Sequence, residues 1–209
     1  MRILVTAGPT REPVDSVRYL SNRSSGSMGY AIARRLSRRH RVTLVSGPTA
    51  LRPPKDVEFV VVETAREMRR EVLRRFRRVD AVVMCAAVTD YRPARRVLGK
   101  IRKGTGPLRL DLVLNPDILA ELGRRKRRGQ VLVGFALEAR KGLARARRKL
   151  RTKKLDAILR NDLSTIGAAK VRGELIQADG AVTPINGLPK RAVAELIEKV
   201  ILKVKHETC

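Results

Sequence analysis

The sequence predicts an α/β fold: a doubly wound, mainly parallel sheet with added antiparallel strands. Six short runs rich in β-branched residues recur along the chain, at Ile3–Thr6, Val42–Val45, Val57–Val62, Ala81–Cys85, Val131–Ala136 and Asp156–Leu159. Helical periodicity fills most of the gaps, at Met28–Arg39, Ala65–Arg77, Asp117–Arg127 and Lys141–Lys153. Such alternation winds into a parallel sheet through right-handed crossovers. The third observation lies after the first strand. A Gly8-Pro9 turn leads into a polar loop of about twenty residues, and Ser24-Ser25-Gly26 then opens a helix. Strand, glycine turn and helix N-terminus together build an anion site in Rossmann-like folds, because free N–H groups and the helix dipole face the ligand.

Two stretches break the rhythm. Gly99–Leu114 places Leu108, Leu110 and Leu112 in strict alternation, and Lys170–Pro184 reads as two short strands around Asp179-Gly180. Both are expected to add antiparallel strands to the sheet. Lys190–Val204 is an amphipathic closing helix. No repeat or linker divides the chain, so residues 1–209 are expected to form one domain.

Composition narrows the class. Nothing resembles a signal peptide, and the apolar runs are too short to span a bilayer. Cys85 and Cys209 sit in contexts too different for a disulfide framework, which points to a reducing cytoplasm. His40 and His206 stand alone and are expected at the surface, away from any metal set. The formal net charge is +27, with arginine clusters at Arg34-Arg35, Arg38-Arg39, Arg74-Arg75, Arg124 to Arg128 and Arg145 to Lys154. Such a charge attracts polyanions. The clusters nevertheless spread over several helices, and the chain has three Tyr, three Phe and no Trp for base stacking. A solvated basic surface is the plainer account, and nucleic-acid binding is the minor one.

The candidate chemistry sits at strand ends. Ala86-Ala87-Val88-Thr89-Asp90-Tyr91-Arg92-Pro93 follows the fourth strand, where small alanines allow a flat ring to approach. Asp90 suits a ribose or a metal, or simply caps a β-α connection. Lys100-Ile101-Arg102-Lys103 places Lys100 and Arg102 on one face if extended, fit to grip a triphosphate or to serve as a solvated edge strand. In Asn115-Pro116-Asp117-Ile118-Leu119, Asn115 is a plausible N-cap and Pro116 suits a first helical turn. Phe135 offers a base an aromatic face or fills the core. Lys149 and Lys153, four apart, share a helix face.

Taken in order, GPTREPVDSVRYLSNRSSGSMG, AAVTDYRP, KIRK, NPDIL, VGFALE and ARRKLRTKKLDAILRND cover about residues 3 to 162. In them the chain resembles phosphopantothenoylcysteine synthetase, the ligase half of the bifunctional coenzyme A biosynthesis flavoprotein. The resemblance implies activation of 4′-phosphopantothenate by a nucleoside triphosphate to an acyl-nucleotide, followed by amide formation with L-cysteine. It implies CTP as the favoured nucleotide, Mg²⁺ on the phosphates, and a homodimer joined through Gly99–Leu114 or Lys170–Pro184. By the same resemblance Asn22 holds the acyl intermediate, Arg18 lies near the phosphopantothenate, and Lys100 serves the nucleotide phosphates and the second half-reaction. Ala86, Asp90, Pro116, Asp117, Ile118, Leu119, Phe135, Lys149 and Lys153 match nucleotide-binding positions. Ser27 departs from the lysine common in the family, and no counterpart of the flavin-binding half, with its own cysteine, is expected in this chain. Cys85 is not a catalytic counterpart.

Two other classes are open to test. A short-chain NAD(P) oxidoreductase needs a glycine-rich fingerprint and a Tyr followed four residues later by Lys. Tyr19, Tyr30 and Tyr91 are followed there by Arg23, Arg34 and Arg95. A basic nucleic-acid-binding module would bind strands in a salt-sensitive way.

Overall fold

The computed structural model describes residues 1–138 and 142–208. The chain runs β1 (Arg2–Ala7), β2 (Arg11–Pro13), β3 (Tyr19–Ser21), α1 (Ser27–Leu36), β4 (Arg41–Ser46), β5 (Val57–Val61) and α2 (Ala65–Phe76). It continues through β6 (Ala81–Met84), β7 (Tyr91–Pro93), β8 (Leu112–Leu114), α3 (Ile118–Arg125), β9 (Val131–Glu138) and α4 (Leu143–Thr152). β10 (Ala157–Asp162), β11 (Lys170–Gln177), β12 (Val182–Pro189) and α5 (Lys190–Thr208) complete it. Lys141, the first residue of one expected helix, and Cys209 lie outside the described residues.

The main sheet has the order β12-β11-β10-β9-β6-β1-β4-β5. From β5 to β10 all neighbours are parallel. The β11–β12 hairpin joins antiparallel at the β10 edge, as the Lys170–Pro184 stretch predicts. Strand order reverses between β1 and β6, so the carboxyl ends of these two strands border the switch-point crevice.

Alternation within the strands sorts the two cores. Ile3, Val5 and Ala7 of β1 pack with Ile32 and Leu36 of α1 and with Val193 and Ile197 of α5. Leu4 points the other way, into a cluster with Met68 and Val72 of α2, Leu122 of α3 and Leu150 of α4. α2 starts on a capping box. The Thr64 side chain accepts from the Glu67 N–H at 3.2 Å, and Glu67 accepts from the Thr64 N–H at 3.3 Å.

Four expectations are corrected. Gly99–Leu114 does not extend the main sheet. Only Leu112–Leu114 is strand, paired antiparallel with β7 in a separate two-stranded sheet, and residues 99–111 have no regular structure. Alternation there marks an exposed apolar arm, with Leu98 89%, Leu108 59% and Leu114 67% exposed. Asn115 does not cap α3. Asp117 does, accepting from the Ala120 N–H at 2.9 Å, while the Asn115 amide donates to the Thr89 carbonyl. The KIRK segment is neither strand nor edge. His40 is not a surface residue: its side chain is 9% exposed, 3.8 Å from Glu198, and burial pushes its pKa down.

α1 lies so close to β1 that Gly29 has no room for a side chain. A Cβ there would come within 2.6 Å of the Ala7 Cβ and 2.9 Å of the Thr6 carbonyl oxygen. Gly29→Ala is therefore expected to lower stability by about 1–3 kcal/mol, the cost of overpacking. Urea unfolding would show a lower midpoint at unchanged m-value; an unshifted midpoint would mean that α1 rides freely on the sheet.

Candidate active site

The site is assembled where the chain crosses the switch point. After β1, Gly8 (φ 72°) turns the chain, and Pro9 bridges to Ala87 beyond β6. The Ala87 N–H donates to the Gly8 carbonyl at 2.9 Å, and the Thr10 N–H donates to the Ala87 carbonyl at 3.2 Å. The polar loop foreseen between β1 and α1 is partly structured: β2 and β3 pair as a small hairpin. Arg11 lies 4.5 Å over the Tyr19 ring and stacks there.

Below the loop is a buried polar network. Glu12, 2% exposed, accepts from the Ala65 N–H at 2.8 Å and from the Thr89 hydroxyl at 3.0 Å. The Thr10 and Thr89 hydroxyls meet at 2.9 Å. Both walls of the crevice are thus tied to one carboxylate.

Above this network opens a pocket of about 690 Å³. Residues Ser21 to Gly29 line it, as do Cys85 to Val88 with Asp90, Phe135 from within β9 and Asn161 from the end of β10. Gly26 adopts φ 76° at the N-cap of α1, with no side-chain cap and no acidic residue in the first turn. The positive end of α1 therefore faces the pocket uncompensated, suited to an anion. Asn22 lines the same pocket and donates its amide to the Ala87 carbonyl at 3.0 Å. Burial pushes the Cys85 thiol up to about 12, so no thiolate is available there near neutral pH.

A second pocket of about 600 Å³ adjoins it. Ala86, Asp90, Phe135 and Lys149 line both, and Pro116, Asp117, Ile118, Leu119 and Lys153 line only the second. Carboxylates hold both lysines. Lys149 donates to Glu138 at 2.7 Å, and Lys153 pairs with Asp117 at 2.7 Å. The hydrogen bond from Lys149 holds the Glu138 pKa below the usual carboxylate range. Burial acts to raise that of Asp117, but Lys153 and the Ala120 N–H outweigh it and the net shift is downward.

Ten of the twelve residues singled out from the sequence thus line two connected pockets. Arg18 and Lys100 line neither. Both lie at the root of the arm, around Asp15. Arg18 donates to Asp15 at 2.9 Å and to the Ile101 carbonyl at 3.3 Å, while the Ile101 N–H donates to Asp15 at 3.0 Å. Lys100 is exposed. Sequence reading missed Asn161, Lys190 and Glu138. Asn161 stands at the carboxyl end of β10, a place that the switch-point rule marks in any parallel strand. Glu138 closes the VGFALE stretch but is given no role there, and Lys190 carries no local signal.

Fold and crevice together define a doubly wound α/β protein with an anion-receptive switch point and a second, lysine-flanked pocket. The chain belongs to the family described as the DNA/pantothenate metabolism flavoprotein C-terminal domain, whose model matches residues 1–204. This agrees with the family resemblance in the motifs. The chain is 44% identical over 168 residues to the coenzyme A biosynthesis bifunctional protein CoaBC of Bacillus subtilis, covering 79% of this chain and 41% of that protein. It is 43% identical over 169 residues to a cysteine/cysteine sulfinic acid decarboxylase of an unknown prokaryotic organism, covering 80% and 47%. The chain spans about half the length of these curated relatives. A crystal structure of the C-terminal domain of a CoaBC protein superposes with a TM-score of 0.84 at 39% identity, covering 98% of this chain and 96% of that one.

Asp15 gives this region a pH signature. Backbone N–H donors, Ile101 first and then Val17 and Arg18, with the Arg18 guanidinium, outweigh burial and hold its pKa at about 2. A carboxylate depressed on folding stabilises the fold above its unfolded pKa of about 4, and that stability is lost as pH falls through the folded value. Asp15 is expected to titrate near pH 2 by NMR. The Ile101 amide should lose protection from hydrogen exchange over the window between those two values, and in Asp15→Asn at neutral pH. An ordinary carboxylate titration with unchanged protection would detach the arm from Asp15.

Proposed function

We propose that this chain is a phosphopantothenate–cysteine ligase acting in coenzyme A biosynthesis. The observation that carries the reading is the pair of connected pockets, sharing Ala86, Asp90, Phe135 and Lys149. A two-step ligation needs that connection: an acyl substrate and a nucleotide must meet at one bond. In the first step a carboxylate oxygen of 4′-phosphopantothenate attacks the α-phosphorus of the nucleotide, and pyrophosphate leaves. In the second the amine of cysteine attacks the acyl carbon, the nucleoside monophosphate leaves, the amide forms and the amine gives up a proton.

The nucleotide is assigned to the second pocket, with Pro116, Asp117, Ile118 and Leu119 around the base and Lys149 and Lys153 exchanging their carboxylate partners for phosphates. Asn22 is assigned to the acyl group. Its amide neither gains nor loses a proton near neutral pH, so it orients the carboxylate and supports developing charge. Arg18 is assigned to the phosphopantothenate, and Lys100 to the phosphates once the arm is brought over a crevice. Mg²⁺ would neutralise the phosphates. The exposed Asp90 carboxylate suits it, since this ion is held through phosphates, waters and one or two carboxylates. CTP is the nucleotide proposed. Among the described residues no helix is long and apolar enough to cross a membrane, and a cytoplasmic setting is proposed.

The decisive experiment is pyrophosphate release with 4′-phosphopantothenate, CTP and Mg²⁺, and amide formation once cysteine is added. No pyrophosphate with either CTP or ATP would end the reading; release with ATP alone would end the CTP assignment. Asn22→Asp places a negative charge beside the substrate carboxylate and removes an amide donor. It is expected to lower turnover by about 10²–10³ while the thermal shift produced by CTP is kept.

The exposed arm fits a homodimer contact. Leu98, Leu108, Leu110, Leu112 and Leu114 are between 40% and 89% exposed along it. Contiguous exposed apolar surface of this kind marks an interface. Light scattering should give about twice the 23.4 kDa chain mass. Leu110→Glu with Leu112→Glu should give the single mass, and a wild-type monomer would refute the contact.

A further inference from the structure

On the α1/α5 side of the sheet lies a third concavity of about 400 Å³, which meets the first pocket at Ser27. Arg34 and Arg38 reach it from the end of α1, Arg52 from the β4–β5 loop and Arg191 from the start of α5, over an apolar floor that includes Leu51. A fifth arginine, Arg35, is engaged by Glu198 at 2.6 Å and Glu195 at 3.6 Å. The other four have no carboxylate partner among the described residues. Elsewhere Arg69 is paired with Glu121 and Arg75 with Glu58 and Glu71. Another concavity gathers Arg2, Arg41, Lys55 and Arg78, but Asp56 and Glu58 line it beside them, whereas the one carboxylate lining the α1/α5 groove, Glu195, is turned to Arg35. Here the free guanidinium groups converge.

Their placement on the helices is telling. Arg34, in the last turn of α1, suits the negative end of its dipole. Arg191 does the opposite. α5 opens with Lys190-Arg191 and has no acidic residue in its first turn, so two cations crowd the positive end of a nineteen-residue helix. An anion lying between Arg191 and the α1 arginines reverses that repulsion. Four planar forks around one groove suit several phosphate oxygens at once, beyond what a single carboxylate offers.

We propose that this groove is a binding site for a ligand carrying two or more contiguous phosphates beside a small apolar part. Its four arginines line neither pocket of the ligase crevice, which the groove meets at Ser27, and the proposal does not depend on the ligase reading.

The test is calorimetric titration of the full chain with inorganic tripolyphosphate, with pyrophosphate and phosphate as shorter arms. Affinity should rise steeply with the number of phosphates. The triple variant Arg34→Gln/Arg52→Gln/Arg191→Gln should weaken tripolyphosphate at least tenfold. An equally discharged control, Arg66→Gln/Arg147→Gln/Arg148→Gln on the opposite face, should stay within twofold, with both variants folded by circular dichroism. Equal weakening in the two variants would reduce the effect to net charge. Loss of all binding in Lys149→Ala with none in the groove variant would move the phosphates to the crevice. Either result overturns the proposal. Pyrophosphate release without added polyphosphate should be unchanged in the groove variant, so failure here and failure of the ligase reading are read on separate assays.

Discussion

Everything at the crevice hangs on the buried carboxylate of Glu12. It receives the first N–H of α2 and the hydroxyl of Thr89, and Thr89 meets Thr10 in turn. Three segments far apart in sequence are thereby fixed against one another: the loop after β1, the turn after β6 and the head of α2. A carboxylate so placed is held because each donor around it would otherwise be buried without a partner, at about 1–3 kcal/mol apiece. The spacing of the two pocket walls is therefore set by a polar network beneath them, and the small residues Ala86 and Ala87 keep the space above it open.

The parallel sheet was legible because its signal is local and repeated. Val42, Leu44, Val57 and Val83 belong to short β-branched runs whose length and spacing admit few other folds. The positions of Asn22, Ala86, Asp90 and Phe135 were legible for a related reason: the carboxyl ends of parallel strands converge, so motifs there meet whatever the loops do. What failed was reading alternation as sheet membership. Leu108, Leu110 and Leu112 alternate as a strand would, yet only Leu112 is in one, because alternation reports a two-sided surface and says nothing about what covers it. The expected cap, Asn115, lies two residues before the observed one. The Asn115 amide donates to the Thr89 carbonyl, so the cap falls to Asp117 and Pro116 lies before the helix, not in its first turn. The Lys149–Glu138 and Lys153–Asp117 pairs were invisible, since each joins elements whose contact only the fold creates.

Those two pairs also explain how lysines can wait at an open pocket. Partly exposed ion pairs are worth about 0–1 kcal/mol, because water screens them and holding long side chains costs entropy. Glu138 and Asp117 thus keep the ammonium groups extended at little thermodynamic depth. A more highly charged anion can take either lysine over without first paying to desolvate it, and the carboxylates return the side chains to place when it leaves.

The strand order has a further consequence, for the way the chain comes together. Of the strands in this sheet β1 comes earliest in the chain, and it ends up in the middle, with Ile3 beside Val42 on one flank and beside Ala81 on the other. The half built from β1, β4 and β5 is complete once Val61 has emerged. Until β6 arrives, that half presents the full hydrogen-bonding edge of its most apolar strand, an open template for any passing strand. The central pairing spans a long stretch of chain, and such non-local contacts form late because loop closure comes before their reward. During synthesis the protein is thus most vulnerable to mispairing in a narrow interval, between the appearance of β5 and that of β6. The arginine-rich α2 is made within it, and its charge repels other copies of the chain while the edge is bare.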